Sequence, residues 1–237
     1  MNKPMHVAVK EKSGWGSKIR KVFPRCVLLL LGYGLIFSTF FPGTASIAQT
    51  PVTPLCRFGI GSPLGSQGYD IASIGVGGYL DWRAIVDPNL PAGVEYIHVL
   101  RLRNDLYPQT LENLAGLIAA DPGGAWLIGN EPDTRYEVQD ALTAEVYAER
   151  YFELAAQIRD LDPSARLGFG TIVQPTPIRM RYLDRAWNRM VALTGSPAAA
   201  SSLIDFWSIH AFILNERPGE WGTGVPLGFE HDYADAI

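Results

Sequence analysis

Glu95-Tyr96-Ile97-His98-Val99-Leu100-Arg101-Leu102 runs with hardly a break in its apolar side chains. A strand wetted on one face alternates apolar and polar residues; a near-continuous apolar run marks a strand covered on both faces, as in a parallel sheet between helices. Similar stretches recur outward from it. Residues 57–60 and the Gly-rich 72–80 precede it, and 126–129, 166–173 and 204–214 follow. Helical periodicities fill the intervals. Residues 110–120 put Leu111, Leu114, Leu117 and Ile118 on one face. In 143–161, Tyr147, Tyr151, Leu154, Ile158 and Leu161 form a single stripe, stopped by Pro163. Residues 177–194 open with Thr176 as N-cap and Pro177 in the first turn, carry Met180, Leu183, Trp187, Met190 and Val191, and end at Gly195. Strand–helix alternation of this kind predicts an α/β fold with a parallel sheet and helices outside. About six strands are legible, against the eight of a closed (β/α)8 barrel of about 250 residues.

Charge divides the chain. Residues 1–48 hold seven of the 20 basic residues and one of the 24 acidic ones, which leaves 13 basic against 23 acidic side chains, a net of −10. So acidic a body repels nucleic acid and anionic membrane, and both are set aside as partners. No lysine follows Lys21, which excludes a P-loop or Schiff-base lysine there. The first segment has the features of a targeting signal: a basic stretch to Arg25, an apolar run from Cys26 to Phe41, then Pro42-Gly43 and small residues around Ser46-Ile47-Ala48. It reads as a signal peptide or an N-terminal membrane anchor over 1–48, the run being at the short limit for a span. Either places the body outside the cytoplasm, secreted or anchored by residues 26–41. Residues 49–56 read as a short linker, and 57–237 as the barrel domain. Cys56 is left without an internal disulfide partner.

The chemistry is concentrated in Trp126-Leu127-Ile128-Gly129-Asn130-Glu131-Pro132-Asp133. A buried strand there delivers Asn130 and Glu131 at its C-terminal end, where parallel α/β folds bind ligands. Cleavage of a glycosidic bond needs a carboxylic acid that protonates the leaving oxygen. It also needs a second carboxylate, about 5–5.5 Å away when configuration is retained. Asn130 suits a sugar hydroxyl. The plainer alternative is a strand that ends in a polar turn, since Asn, Pro and Asp are turn formers. His210 is either a cleft residue or a hydrogen-bonded core histidine. Alternation puts Ser208, His210 and Phe212 on one face and Trp207 and Ile209 on the other, so Trp207 is expected against the outer helices. Arg101 ends its strand near the same mouth. Tyr136 and Trp221, in loops, offer aromatic faces for sugar rings, with loop packing as the alternative. Gly59-Ile60-Gly61-Ser62-Pro63-Leu64-Gly65 fails as a dinucleotide loop, its third glycine being misplaced. His6, His98, His210 and His231 show no metal-ligand spacing. Neither metal nor cofactor is implied.

Gly129-Asn130-Glu131-Pro132 at the end of a fourth strand resembles the signature of retaining glycoside hydrolases built on (β/α)8 barrels. With Asp133 it is most similar to the Asl1-like, β-1,3-glucanase-type group. Ser164-Ala165-Arg166-Leu167-Gly168-Phe169-Gly170 resembles that family's fifth strand, and Ile204-Asp205-Phe206-Trp207-Ser208-Ile209-His210-Ala211-Phe212 its sixth. The resemblance covers about residues 95–214. It implies a polysaccharide substrate, Glu131 as acid/base, Asn130 on the sugar, His210 in the cleft, and a monomer. It also implies a glutamate nucleophile on a seventh strand. After Leu214 no such strand is legible: Glu216, Glu220 and Glu230 sit in loop-like sequence, and none reads as the nucleophile. The expectation is therefore a C-terminally incomplete barrel with an uncovered edge and impaired hydrolysis. The alternatives are an exported carbohydrate-binding protein that does not cleave and a cell-surface domain without a ligand.

Overall fold

A computed structural model describes residues 55–63, 70–136, 138–217 and 222–231. In chain order the elements are β1 (Leu55–Gly61), α1 (Ile71–Ile74), β2 (Val76–Leu80), β3 (Glu95–Leu100), α2 (Tyr107–Ala120), β4 (Ala125–Ile128), α3 (Ala144–Leu161), β5 (Arg166–Ile172), α4 (Pro177–Thr194), α5 (Pro197–Ser201) and β6 (Phe206–Ile209). The strands pair only in parallel, in the order β1-β2-β3-β4-β5-β6, and the sheet curls into a half-barrel. The α/β class and the six strands are thus as read from the apolar runs.

The core lies between the sheet's outer face and the helices. Leu100 and Leu102, Trp126 and Ile128, and Leu167 and Phe169 alternate toward one side. They form one buried cluster with Leu114 and Ile118 of α2, with Tyr147, Tyr151, Leu154 and Ile158 of α3, and with Tyr182 and Met190 of α4. Each such side chain removed from water contributes about 1.5–3 kcal/mol to holding the helices on the sheet. Thr143 caps α3 by accepting from Val146 N–H, and Leu161, the last residue of the stripe, is exposed. On α4 the expected stripe holds in part: Leu183 and Met190 are buried together with Ile178, Arg179, Tyr182 and Ala186, and Trp187 and Val191 pack against this core, whereas Met180 is exposed. Met180, Leu183 and Trp187 line an outward hollow of about 320 Å³ with Trp207 and Ile209.

Two stretches differ from their expected form. Residues 72–80 are not one strand: Asp70 caps the short α1, Gly75 closes it in the left-handed region, and β2 starts at Val76. The helix α2 makes the crossover from β3 to β4, whereas residues 81–94, between β2 and β3, form no helix. Their turns and extended segments instead carry Ala84, Ile85, Leu90 and Val94 onto the core clusters. The sixth strand stops at Ile209 rather than continuing to Leu214. There the side-chain amide of Gln174 replaces a strand neighbour, accepting from Leu214 N–H at 2.8 Å and donating to Leu214 C=O at 3.0 Å.

Of the expected linker, Leu55 and Cys56 already belong to β1. The targeting segment over 1–48 and Trp221 lie outside the described residues. Among the described residues, no helix is long and apolar enough to cross a membrane. β6 has β5 as its one strand neighbour there, and Trp207, Ile209, Phe212 and Ile213 are exposed beside it.

Candidate active site at the strand ends

The C-terminal ends of β4, β5 and β6 converge on Glu131. Its backbone φ is +45°, in the left-handed region, and Thr171 at the end of β5 has φ +49°. A side chain in that region costs on the order of 1–3 kcal/mol, and such strain collects where function needs a particular geometry. The two residues are bonded to each other: Glu131 N–H donates to Thr171 C=O at 3.0 Å. The Glu131 side chain is 9% exposed, and its Oε1 lies 2.9 Å from Nδ1 of His210, which is 24% exposed. His210 is in turn anchored by its own N–H on Ile172 C=O at 2.8 Å. A largely buried carboxyl group thus shares a proton site with an imidazole from two strands away. That arrangement can deliver a proton and take one back.

Asn130 is held by the loop that follows it. Its N–H donates to Asp140 Oδ2 at 2.7 Å, and its Nδ2 donates to Gln139 Oε1 at 2.5 Å, which sets the rotation of the amide. Asp140 is fully buried and also accepts from Arg101 Nε at 2.8 Å and Arg103 N–H at 3.2 Å. Arg101 completes the brace by donating Nη2 to Val138 C=O at 2.7 Å. Its guanidinium is therefore committed to the β4 loop.

A second buried network ties the mouth together. Arg179 of α4 is fully buried. It donates to Asp133 Oδ2 at 2.8 Å, Asp133 C=O at 2.6 Å, Gly224 C=O at 2.6 Å and Glu216 Oε2 at 3.0 Å, and it also reaches Thr223. Burial holds the Asp133 carboxyl above the ordinary carboxylate range even with Arg179 beside it. Glu216 goes the other way. Burial would raise it, but hydrogen bonds from Thr176, Arg179 and Gln174 outweigh that and keep it below its ordinary value. Thr176 gives its hydroxyl to this carboxylate, so it stands at the N-cap of α4 without making a side-chain cap.

Tyr136 has a half-exposed ring, and its hydroxyl donates to Gly222 C=O, linking the loops after β4 and β6. Trp207 packs on the helix side, with ring centroids 5.3 Å from Phe169 and 6.0 Å from Trp187. Gln139, Asp140 and Arg179 were not legible as site residues. Arginine at a helical position usually faces solvent, and nothing local marks Asp140 as the acceptor beneath Asn130. Among the described residues, no group of three or more His, Cys, Asp or Glu is placed to hold a metal ion. Comparison of the chain with protein-family models, curated proteins and solved structures gives no match.

Proposed function

We propose that this chain is a glycoside hydrolase-like protein that acts on O-glycosidic bonds of a polysaccharide, a β-glucan being the first to try. Glu131 serves as acid/base in a retaining mechanism, and Asn130 and His210 position the sugar. The observation that carries this is the buried Glu131 carboxyl, held in left-handed backbone at a parallel strand's C-terminal end and 2.9 Å from His210. A glycosidic oxygen needs a proton donor screened from bulk water, and a neighbouring imidazole can restore the donor after each transfer. The curled parallel sheet and its strand-end mouth agree with the resemblance to barrel glycosidases. Export by the N-terminal segment agrees with a polysaccharide substrate.

One observation favours the non-catalytic alternative, an exported carbohydrate-binding protein. Asp133, Asp140 and Glu216, three carboxylates described at this mouth, all accept structural hydrogen bonds from Arg179, Arg101, Asn130 or Gln174. None of them is spare to act as the nucleophile. The two readings separate in one experiment: incubation with β-glucan oligosaccharides, following release of reducing ends and, in parallel, binding by calorimetry. Hydrolysis that falls about 10²–10⁴-fold in Glu131→Gln is the expected result. Binding without hydrolysis supports the alternative. Neither binding nor hydrolysis across a panel of soluble polysaccharides refutes both.

A further inference from the structure

The β4–β5 ladder is interrupted just before it presents Glu131. Ala125 faces Arg166 and Leu127 faces Gly168, and Arg166 N–H donates to Gly124 C=O at 2.9 Å. Continued in that register, Gly170 N–H would face Ile128 C=O, but the paired register ends at Leu127 and Gly168. The hydroxyl of Tyr147, from α3, bridges these two groups, accepting from Gly170 N–H at 2.8 Å and donating to Ile128 C=O at 3.2 Å. Beyond this insertion Glu131 N–H donates to Thr171 C=O at 3.0 Å, one residue further along both strands than the Asn130 N–H to Gly170 C=O bond of an unbroken ladder.

Both strands bow around the inserted hydroxyl. Gly129 has φ +94° and Gly170 φ +110°, conformations open to glycine. A Cβ on Gly129 would lie 3.0 Å from the Tyr147 ring, and one on Gly170 would lie 2.7 Å from the Ser208 carbonyl oxygen. Thr171, directly after Gly170, and Glu131, two residues after Gly129, carry the left-handed strain. On the far side β5 slips register against β6 between Gly170 and Ile172, and Ile172 anchors His210. The distortion therefore begins at the Tyr147 hydroxyl and ends at the two residues that share the proton.

We infer that Tyr147 is a positioning residue: its hydroxyl replaces one rung of the β4–β5 ladder and so sets the backbone that aims Glu131 at His210. Its consequence for catalysis rests on the glycosidase reading above; its consequence for geometry does not. Tyr147 is fully buried, and burial keeps the phenol protonated far above its ordinary range, the hydrogen bonds from Gly170 and Thr171 only partly offsetting this. The bridge thus stays intact across the working pH range.

Tyr147→Phe keeps the ring, which packs on Phe169 and Tyr182, and deletes the rung. The readout is nitrogen-15 NMR of the His210 ring on the full chain, with Glu131→Ala as the reference for complete loss. The proton shared by His210 Nδ1 and Glu131 is expected in slow exchange in the wild type and absent in both variants. Retention of that signal in a folded Tyr147→Phe chain overturns the inference. Should this variant not fold, the wild type alone decides. The Tyr147 hydroxyl proton is expected in slow exchange with a cross-peak to the Gly170 amide, and rapid exchange of Gly170 N–H overturns the inference. Where hydrolysis is measurable, Tyr147→Phe lowers kcat at least 10-fold with KM unchanged. Absence of wild-type hydrolysis counts against the glycosidase reading and leaves the NMR result standing.

Discussion

Replacing Arg179 by methionine tests whether the mouth of the half-barrel is held by its buried charges. Methionine keeps much of the apolar stem and removes every donor. Asp133, fully buried, then keeps its bond from Val173 N–H but loses its cation, and Glu216 loses one of four side-chain partners. Breaking a buried ion pair from one side costs about 3–5 kcal/mol, because the remaining charge stays desolvated and unpaired. Against a total stability of about 5–15 kcal/mol, that is a large fraction of the fold. Urea unfolding followed by tryptophan fluorescence reads it directly. The loss should depend on pH, with a sign that follows from the two carboxylates. Asp133 is already held above the ordinary range, so its charged form is the costly one, and protonation relieves the variant as pH falls. Glu216 is held below its ordinary value near 4.5, so in the wild type its stabilisation is full above that value and disappears as pH falls through the folded value. Both effects shrink the difference between wild type and variant in acid. The double variant Arg179→Met, Asp133→Asn should recover part of the loss, as residues in one network do not add. A loss below about 1 kcal/mol at pH 7, or a loss that grows in acid, would refute this account of the network.

Other expectations concern separate parts of the molecule. Gly129→Ala forces a side chain into φ +94° and against the Tyr147 ring, and should cost about 1–3 kcal/mol, read as a lowered thermal midpoint. His98 is buried against Trp126 and Asp121, and burial lowers its pKa below 6.5 despite the Asp121 bond. The unfolded chain therefore takes up the proton first, and wild-type stability should fall as pH drops below 6.5, by up to about 1.4 kcal/mol per unit for this one proton. His98→Phe should flatten that slope, which urea midpoints at pH 7 and 5 would show. Ile213→Lys places a charge on the exposed stretch beside the β6 edge. It should raise the protein concentration at which light scattering begins and leave the unfolding midpoint unchanged.

Much of the architecture was legible because periodicity is a local property. Residues 95–100 are apolar on both faces, so they had to be a covered strand. The stripe from Tyr147 to Ile158 had to be a helix, because only a 3.6-residue turn brings those side chains to one side. The end of β4 was legible as a place for Glu131 because an apolar strand runs into Asn130-Glu131-Pro132. The failures came where a neighbour overrode the local pattern. The extended reading of 72–80 missed the turn that Asp70 caps, and the reading of 204–214 missed the Gln174 side chain that takes a strand's place at Leu214.

What the sequence by itself determined is which segments are buried and in what order they alternate, hence an α/β chain with its polar strand ends gathered on one side. Only the tertiary structure decided what those ends do to one another. It brought His210 to Glu131 across β5, set Asp140 beneath Asn130, buried Arg179 between two carboxylates, and put the Tyr147 hydroxyl into the ladder. These contacts join residues from about ten to nearly eighty positions apart. Their partners are selected by the register and curvature of the assembled sheet, and neither quantity exists until the strands have paired.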